Sequence, residues 1–198
     1  AASAVSVTTT DNVKVILDAV SAFPGSQPTL TWQPVAGASR YEMWFSRAFP
    51  SASRLYSVTD ITTTSWTPPA SLDAAYYRYW VRAFDSVGNP MTWSNANTFS
   101  VRPTVSSPVT ATFDKRPVFT WNAVPFATSY ELYLRTKNGN TTVPIPSGTQ
   151  YTPTSDLPDG DIRWWVRAIS GSTALAWSNA ANTNVNGRTT MLTPVSPI

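Results

Sequence analysis

The sequence has no cysteine and no histidine among its 198 residues. The lack of cysteine excludes disulfide bonds, thiolate metal sites and thiol nucleophiles. The lack of histidine removes the usual general base near neutral pH, so the chain alone cannot build a Ser-His-Asp triad or one of the common zinc sites. We therefore expect that the chain is not an enzyme and that it holds no metal and no cofactor.

Charged residues are also scarce, at 13% of the chain, where an average domain has about 25%. The net charge is +3, and the basic residues are scattered rather than clustered on one face as in nucleic-acid-binding domains. No apolar run approaches the roughly 20 residues of a membrane-spanning helix. These shortages predict no nucleic-acid partner and no insertion into a membrane.

Aromatic residues are abundant by contrast, at 13% of the chain, with 9 Trp, 8 Tyr and 8 Phe. Disordered chains lack such side chains because they cannot bury enough apolar surface to offset the entropy lost on ordering. Hydrophobic residues make up 42% of the sequence, which is enough for packed cores. The length suits two domains of about 100 residues each.

One sequence pattern occurs twice along the chain. Trp32 returns as Trp121 after 89 residues, and Arg78 returns as Arg163 after 85 residues. The shared stretches are residues 28–42 and 117–131, 78–83 and 163–168, and 93–96 and 177–180. Repetition of this kind predicts tandem copies of one module. We expect a first domain over residues 1–103 and a second over residues 104–198.

The C-terminal tail resembles the beginning of another copy. Residues 188–195 resemble residues 102–109, with arginine, threonine, proline and valine at matching positions. We interpret the chain as a fragment of a longer array, or as a chain whose tail occupies the first-strand position of a neighbour. Neighbouring repeats of the same protein are therefore expected partners.

Apolar and polar residues alternate with the period of two that is typical of β-strands, and no stretch has the period of a helix. The dipeptide Asn138-Gly139 predicts a hairpin with a type I′ turn. The positions predicted to face the cores are Leu30, Trp32, Tyr41, Met43, Phe45, Tyr77, Tyr79, Val81 and Ala83 in the first copy, and Phe119, Trp121, Tyr130, Leu132, Leu134, Ile162, Trp164, Val166 and Ala168 in the second. About seven short strands in each copy indicate an all-β chain of two immunoglobulin-like sandwiches.

The order of these residues resembles a fibronectin type III domain. In the first copy the residues that resemble the family are Trp32, Tyr41, Leu72 and the alternating stretch 77–83. In the second copy they are Trp121, Tyr130, Leu157 and the alternating stretch 162–168. The resemblance implies that the tryptophan of strand B, the tyrosine of strand C and the inward residues of strand F form the core. Ile162 stands where the family usually has the tyrosine of the E–F corner, so we expect the second copy to lack that hydrogen bond. The Trp-Ser-Asn-Ala ending resembles repeats in large bacterial surface and secreted proteins, which implies an extracellular or cell-surface location.

Strand F corresponds to residues 77–83 in the first copy and 162–168 in the second. The residues that alternate with its inward positions should point outward and form an exposed face of the sheet. We call it the Arg–Trp face; its residues are Trp44, Arg78, Trp80, Arg82 and Trp93 in the first copy, and Tyr133, Arg163, Trp165, Arg167 and Trp177 in the second. It resembles the Arg–Trp ladder of type I cytokine receptors, although only the first Trp-Ser of their Trp-Ser-x-Trp-Ser motif is present. The arginines either shield the tryptophans as a structural device, or the face is a platform that binds a sugar ring or a partner strand. Trp93 and Trp177 are expected to begin the last strands.

Acidic residues offer two further candidates, and both have a simpler interpretation. Asp156, Asp159 and Asp161 could hold calcium, which prefers several oxygen ligands, but they also suit an E–F turn. Glu42 and Glu131 could be catalytic carboxylates only if they shared a cleft. Because they occupy equivalent positions in the two copies, we expect each to pair with an arginine of strand F.

These observations favour a non-catalytic spacer, in which tandem modules project another domain from a surface or scaffold. The alternative is an adhesion module that binds proteins or glycans through the Arg–Trp face. A further alternative is a self-assembling fibre subunit, whose terminal strands pair with neighbouring sheets. The repetition and the missing catalytic residues favour the spacer.

Overall fold

The computed structural model describes residues 13–22 and 25–186, and the chain divides into two compact units, Ala1–Arg102 and Pro103–Ile198. Over the described residues all regular secondary structure is β-strand, as predicted for an all-β chain. In that part of the chain no helix is long and apolar enough to cross a membrane. The predicted pair of sandwiches is confirmed, and each is described below by itself.

The first unit contains two sheets. The larger sheet has the order β3-β2-β5-β6, and the smaller pairs β1 with β4. Leu17 forms an antiparallel bridge to Trp32, which adds the start of the chain to the smaller sheet. The strands are β1 (Leu30–Thr31), β2 (Arg40–Phe49), β3 (Ser53–Ile61), β4 (Ser65–Trp66), β5 (Ala75–Phe84) and β6 (Asn97–Val101).

The second unit repeats this plan. Its smaller sheet has the order β11-β8-β7, and its larger sheet has the order β10-β9-β12, with β13 and β14 both paired to β12. The strands are β7 (Val105–Ser107), β8 (Phe119–Trp121), β9 (Ser129–Thr136), β10 (Gly139–Ile145), β11 (Gln150–Tyr151), β12 (Gly160–Ser170), β13 (Thr173–Ala174) and β14 (Ala181–Val185).

Every position predicted to face a core is buried. Because side chains alternate across a strand, the inward residues of β2 and β5 leave their neighbours on the outer face of the sheet. The same alternation occurs in β9 and β12. In each core a tryptophan and a tyrosine pack together, with ring centroids 5.5 Å apart for Trp32 and Tyr41 and also for Trp121 and Tyr130.

The turn between β9 and β10 differs from the predicted type. The hairpin exists at the expected place, but Gly139 alone has positive φ and already pairs with Thr136. A type I′ turn needs positive φ at both central residues, so the predicted turn type is wrong. The Thr136 hydroxyl contributes instead, since its oxygen accepts from the Asn138 N–H at 3.1 Å.

The E–F corner differs between the units as the resemblance implies. The Tyr77 hydroxyl donates to the Asp73 carbonyl at 2.8 Å. Burial raises the pKa of Tyr77, so the phenol stays protonated and keeps this hydrogen bond. Ile162 has no hydroxyl, so the second unit lacks this bond. Both corners share another one, from the Leu72 N–H to the Ser26 carbonyl at 2.7 Å and from the Leu157 N–H to the Lys115 carbonyl at 2.8 Å.

In each unit the segment before the core tryptophan pairs with the smaller sheet. Leu17 bridges to Trp32 in the first unit, and β7 pairs with β8 in the second. The predicted third-repeat segment over residues 188–195 and the N-terminal segment over residues 1–10 lie outside the described residues. Strand exchange through these tails therefore stays a prediction.

Candidate functional site: the Arg–Trp face

The Arg–Trp face lies on the larger sheet of each unit, where two central strands run side by side. In the first unit Trp44 of β2 is paired in register with Trp80 of β5, two residues from the Glu42–Arg82 pair. In the second unit β9 and β12 repeat both pairings. Side chains directly opposite each other on one face of an antiparallel pair are in contact distance, so the register itself assembles the face.

Each glutamate forms an ion pair with the arginine across from it. Nη2 of Arg82 lies 2.7 Å from Oε2 of Glu42, and Nε of Arg82 donates to the same oxygen at 2.7 Å. Arg167 and Glu131 make the same two contacts at 2.5 and 2.6 Å. The predicted pairing is confirmed, and each pair contributes at most about 1 kcal/mol because both partners remain partly exposed.

The paired arginine also stacks on a tryptophan from the segment before the last strand. The guanidinium carbon of Arg82 lies 4.7 Å from the ring centroid of Trp93, and that of Arg167 lies 4.5 Å from Trp177. Such cation–π contacts contribute roughly 0.5–1 kcal/mol at exposed sites. Glutamate, arginine and tryptophan thus form one connected stack in each unit, as the structural interpretation of the face requires.

A serine that follows each of these tryptophans completes the stack, and sequence reasoning missed its role. The Ser94 N–H donates to the Val81 carbonyl at 2.8 Å, and the Val81 N–H donates to the Ser94 hydroxyl at 3.0 Å. Ser178 does the same for Val166 at 2.7 and 3.0 Å. The serine side chain therefore replaces a ladder hydrogen bond at the edge of β5 and β12. The repeated Trp-Ser dipeptide was the available signal.

The position of Trp93 and Trp177 corrects one expectation. Both lie beside the strand-F arginine, but neither begins the last strand, since β6 starts at Asn97 and β14 at Ala181. The serine hydrogen bonds hold this short segment against β5 and β12 without continuing a regular ladder. The two tryptophans can therefore lean over the sheet and reach the guanidinium groups.

The outer arginines of the face make looser contacts. Arg78 lies 5.8 Å from the ring centroid of Trp80, and Arg163 lies 5.1 Å from Trp165. Both arginines are exposed, and among the described residues neither forms an ion pair. They add to the stack in each unit, but more weakly than the arginines that are paired with glutamate.

The aromatic rings of the face close on one another in the second unit. Tyr133 contacts Trp165 with ring centroids 5.5 Å apart at 58°, and it contacts Trp177 at 6.0 Å and 59°. Tilted contacts of this kind are favourable because the positive ring edge meets a negative ring face. The second unit therefore packs its platform candidates against each other, and all three side chains stay partly exposed.

The corresponding rings of the first unit stay apart. Among the described residues no ring contact joins Trp44, Trp80 and Trp93; instead they line a hollow of about 350 Å³ together with Ser94. A second hollow of about 370 Å³ also has Trp44 and Trp80 in its lining, so the two hollows adjoin at these indoles. We call the combined surface the Trp groove.

Arg54 of β3 is a member of the groove that sequence reasoning missed. Its guanidinium carbon lies 5.2 Å from the ring centroid of Trp44, whose Nε1–H donates to Ser46 Oγ at 2.9 Å. Arg54 pairs with Ser46 because a register shift leaves Leu55 as an extra residue in β3. The shift places Arg54 on the outer face with Trp44, and a bulge of this kind gave no sequence signal.

Comparison with known proteins gives a fold likeness. No protein-family model and no curated protein matches the sequence. A two-domain fibronectin type III segment from chicken tenascin matches with a TM-score of 0.52 and 14% identity, covering 86% of this chain and 99% of the segment. The chain consists of tandem domains with the fibronectin type III fold. The FN1–FN3 domains of chicken CNTN1 match with a TM-score of 0.36 and 17% identity, covering 89% of this chain and 68% of that chain.

The acidic cluster of the second fibronectin type III-like domain is divided among three different partners. Asp156 pairs with Arg116 at 2.7 Å, Asp159 pairs with Lys115 at 3.2 Å, and Asp161 accepts from the Asn184 amide at 2.6 Å. Over the described part of the chain no group of three or more acidic residues is placed to hold a metal ion. These carboxylates instead fasten the E–F turn to its surroundings.

Proposed function

We propose that the chain is a non-catalytic structural segment, a pair of fibronectin type III-like domains that separates neighbouring parts of a longer extracellular or cell-surface protein. The observation that carries the proposal is the stack of glutamate, arginine, tryptophan and serine on both units. Its distances agree within a few tenths of an ångström, for example 4.7 Å and 4.5 Å between arginine and tryptophan.

The residues of this stack are occupied within their own unit. Arg82 and Arg167 each hold a carboxylate and cover an indole ring, and the serines satisfy backbone groups of strand F. A surface that evolved to capture a ligand needs free donors and free ring faces, whereas a module that must stay folded benefits from internal contacts. The repeated stack therefore supports a structural role for the face.

The test replaces Trp177, which stabilises the fold if the face is structural and contacts a ligand if the face is a binding platform. Trp177→Ala should lower the stability of the second unit by about 1–2 kcal/mol, because the cation–π contact and the apolar cover over Arg167 are lost together. For a domain of this size that corresponds to roughly 4–8 °C in Tm for each kcal/mol. Differential scanning calorimetry of the full chain measures the change.

Phe113→Ala is the matched control, since it removes an exposed aromatic ring of the same unit that lies outside the face. It should leave Tm within about 1 °C, because isolated surface substitutions change stability little. An unchanged Tm in Trp177→Ala would contradict the structural role.

Labelling of intact source cells by an antibody against the chain tests the location.

A second candidate function is favoured by one observation, the open Trp groove of the first unit. Ligand sites are commonly concave, mostly apolar and provided with a few polar groups. The groove has all three properties, and its counterpart in the second unit is closed by ring contacts. The first unit is therefore the candidate for a binding function alongside its structural one.

A further inference from the structure

The Trp groove has an aromatic end and a cationic end. The aromatic end is lined by Trp44, Trp80, Trp93 and Ser94. The cationic end shares two of these tryptophans and adds three guanidinium groups, from Arg47, Arg54 and Arg78. No carboxylate lines either hollow. A ligand that fits the groove must therefore offer a flat apolar face and a negative charge close to it.

Two of the arginines beside the indoles carry a positive charge that no carboxylate neutralises among the described residues. Arg82 is neutralised by Glu42, but among the described residues Arg54 and Arg78 form no ion pair. They lie 5.2 Å and 5.8 Å from the ring centroids of Trp44 and Trp80. Each guanidinium group thus lies beside the indole that it contacts, so a ligand that reaches the indole can also reach the guanidinium group.

In the first unit this combination includes an exposed indole. Trp44 is 43% exposed, whereas its counterpart Tyr133 packs against Trp165 and Trp177. The bulge that brings Arg54 onto the face occurs in β3, and the pairing of β9 with β10 has no register shift. The second unit has two outward arginines of its own, Arg135 and Arg163, in register across β9 and β12, so the exposed indole is the feature that distinguishes the first unit.

Building on the second candidate function above, we propose that the Trp groove binds an acidic polysaccharide made of hexuronic acid residues. The C–H groups on one side of a pyranose ring form an apolar face that packs on an indole through dispersion contacts. The carboxylate on C5 of the same ring accepts two N–H bonds from a guanidinium, the geometry in which arginine binds carboxylates best. Arg54 and Arg78 supply these donors, and the tryptophans supply the stacking surface.

Single-stranded nucleic acid would also combine stacking with negative charge, but the charges of this chain favour the sugar. Nucleic-acid grooves track several successive phosphates with a row of basic residues. The cations of the Trp groove are confined to one end of it, and the net charge of the whole chain is only +3. A carboxylate carried on the stacked ring itself matches this arrangement better.

The proposal is tested with hexagalacturonate, its methyl ester and cellohexaose as probes, titrated into the full chain by isothermal titration calorimetry. Hexagalacturonate should bind, and the other two should bind at least tenfold more weakly, since neither carries a carboxylate for the arginines. Raising the salt concentration should weaken hexagalacturonate binding alone, because exposed charges are screened. A short oligothymidylate is the fourth probe.

Matched variants in the two units locate the site. Trp44→Ala and Arg78→Gln should each raise the Kd for hexagalacturonate about tenfold or more, which corresponds to roughly 1.4 kcal/mol. Tyr133→Ala and Arg163→Gln change the equivalent positions of the second unit and should leave the Kd unchanged. Thermal melts of all four confirm that each variant is folded before it is titrated.

Three results would overturn the proposal: no hexagalacturonate binding at about 1 mM ligand, equal affinity for the methyl ester, or an unchanged Kd in Trp44→Ala. Tighter binding of oligothymidylate than of hexagalacturonate would also overturn it, in favour of nucleic acid. None of these results affects the structural role of the face, which depends on the melting of Trp177→Ala. The two proposals therefore fail separately.

Discussion

The turn before β2 contains a glycine, Gly37, and the corresponding turn before β9 contains a phenylalanine, Phe126. Gly37 has φ of 77° and Phe126 has φ of 65°, and each lies third in a turn closed by a backbone hydrogen bond of 3.1 Å. Left-handed backbone costs a residue with a Cβ roughly 1–2 kcal/mol. Phe126 is nevertheless half exposed, so the second unit bears strain that the first avoids.

Gly37→Phe should therefore lower the free energy of unfolding of the first unit by about 1 kcal/mol, because a residue with a Cβ is strained in the left-handed region. Urea denaturation followed by tryptophan fluorescence measures the change.

Gly25→Ala is the control for the added side chain, because a Cβ at Gly25 meets nothing within 4 Å and the residue has no positive φ. A Cβ at Gly37 also meets nothing within 4 Å, so its cost comes from the backbone alone. Destabilisation of Gly25→Ala by as much as Gly37→Phe would show that the backbone conformation is not the cause.

The buried serines of the stack lead to a second prediction at this scale. Ser94→Ala leaves the Val81 N–H without its hydroxyl acceptor in a buried position, which should cost about 1–3 kcal/mol. Ser178→Ala should cost the second unit a similar amount. Ser57→Ala, at an exposed position of β3, is the control. The measurement compares the free energies of unfolding, and an equal loss in Ser57→Ala would contradict the prediction.

At the scale of elements, the two units differ in how the chain turns after the long central strand, with a loop after β5 and a short hairpin after β12. Asp85 accepts from the backbone N–H groups of Val87 and Asn89 at 3.0 and 2.8 Å, and from the Asn89 amide at 2.9 Å. The second unit instead makes a short hairpin in which Ser170 pairs with Thr173. Only the first unit therefore depends on a carboxylate at this end of the sheet.

This difference predicts a pH dependence for one unit. The Asn89 backbone and side-chain hydrogen bonds lower the pKa of Asp85 from its usual value. Because the folded pKa is the lower one, the stabilisation is complete above the unfolded pKa of about 3.9 and is lost as the pH falls through the folded value. The first unit should thus lose this contribution only in acid.

The measurement compares Tm of the wild type and Asp85→Asn between about pH 2 and about pH 7. The variant cannot ionise, so its deficit relative to the wild type should be largest above pH ~4 and should shrink in more acidic solution. A constant difference across the range would show that Asp85 contributes nothing through its charge.

Strand pairing also affects which side chains lie beside the outward aromatic residues. In the first unit β2 has register shifts against both β3 and β5, whereas β9 pairs with β10 and β12 without any. Bulges bend a strand and redirect its side chains. Trp44 and Trp80 keep the same register as Tyr133 and Trp165, so the effect of the shift on the groove is to place Arg54 of β3 beside Trp44.

For the molecule as a whole, the fold and most of the stack were accessible to sequence reasoning. The period-two alternation identified the buried side of β5 and β12, and the repeated Glu42 and Glu131 identified the ion pairs. These features follow from strand geometry, in which neighbouring residues point to opposite faces and residues in register meet. Repetition strengthened them, because two copies carried the same residues at the same places.

The role of Ser94, the placement of Arg54 and the open groove could not be predicted in the same way. Each depends on where a ladder is interrupted or shifted by one residue, and no dipeptide in β3 marks its bulge. The sequence by itself determined the two sandwiches, their cores and the outward Arg–Trp residues, since alternation and repetition depend only on order along the chain. The tertiary structure decided which outward rings meet and which stay apart, because the distance between two rings depends on how side chains from strands distant in sequence pack against each other.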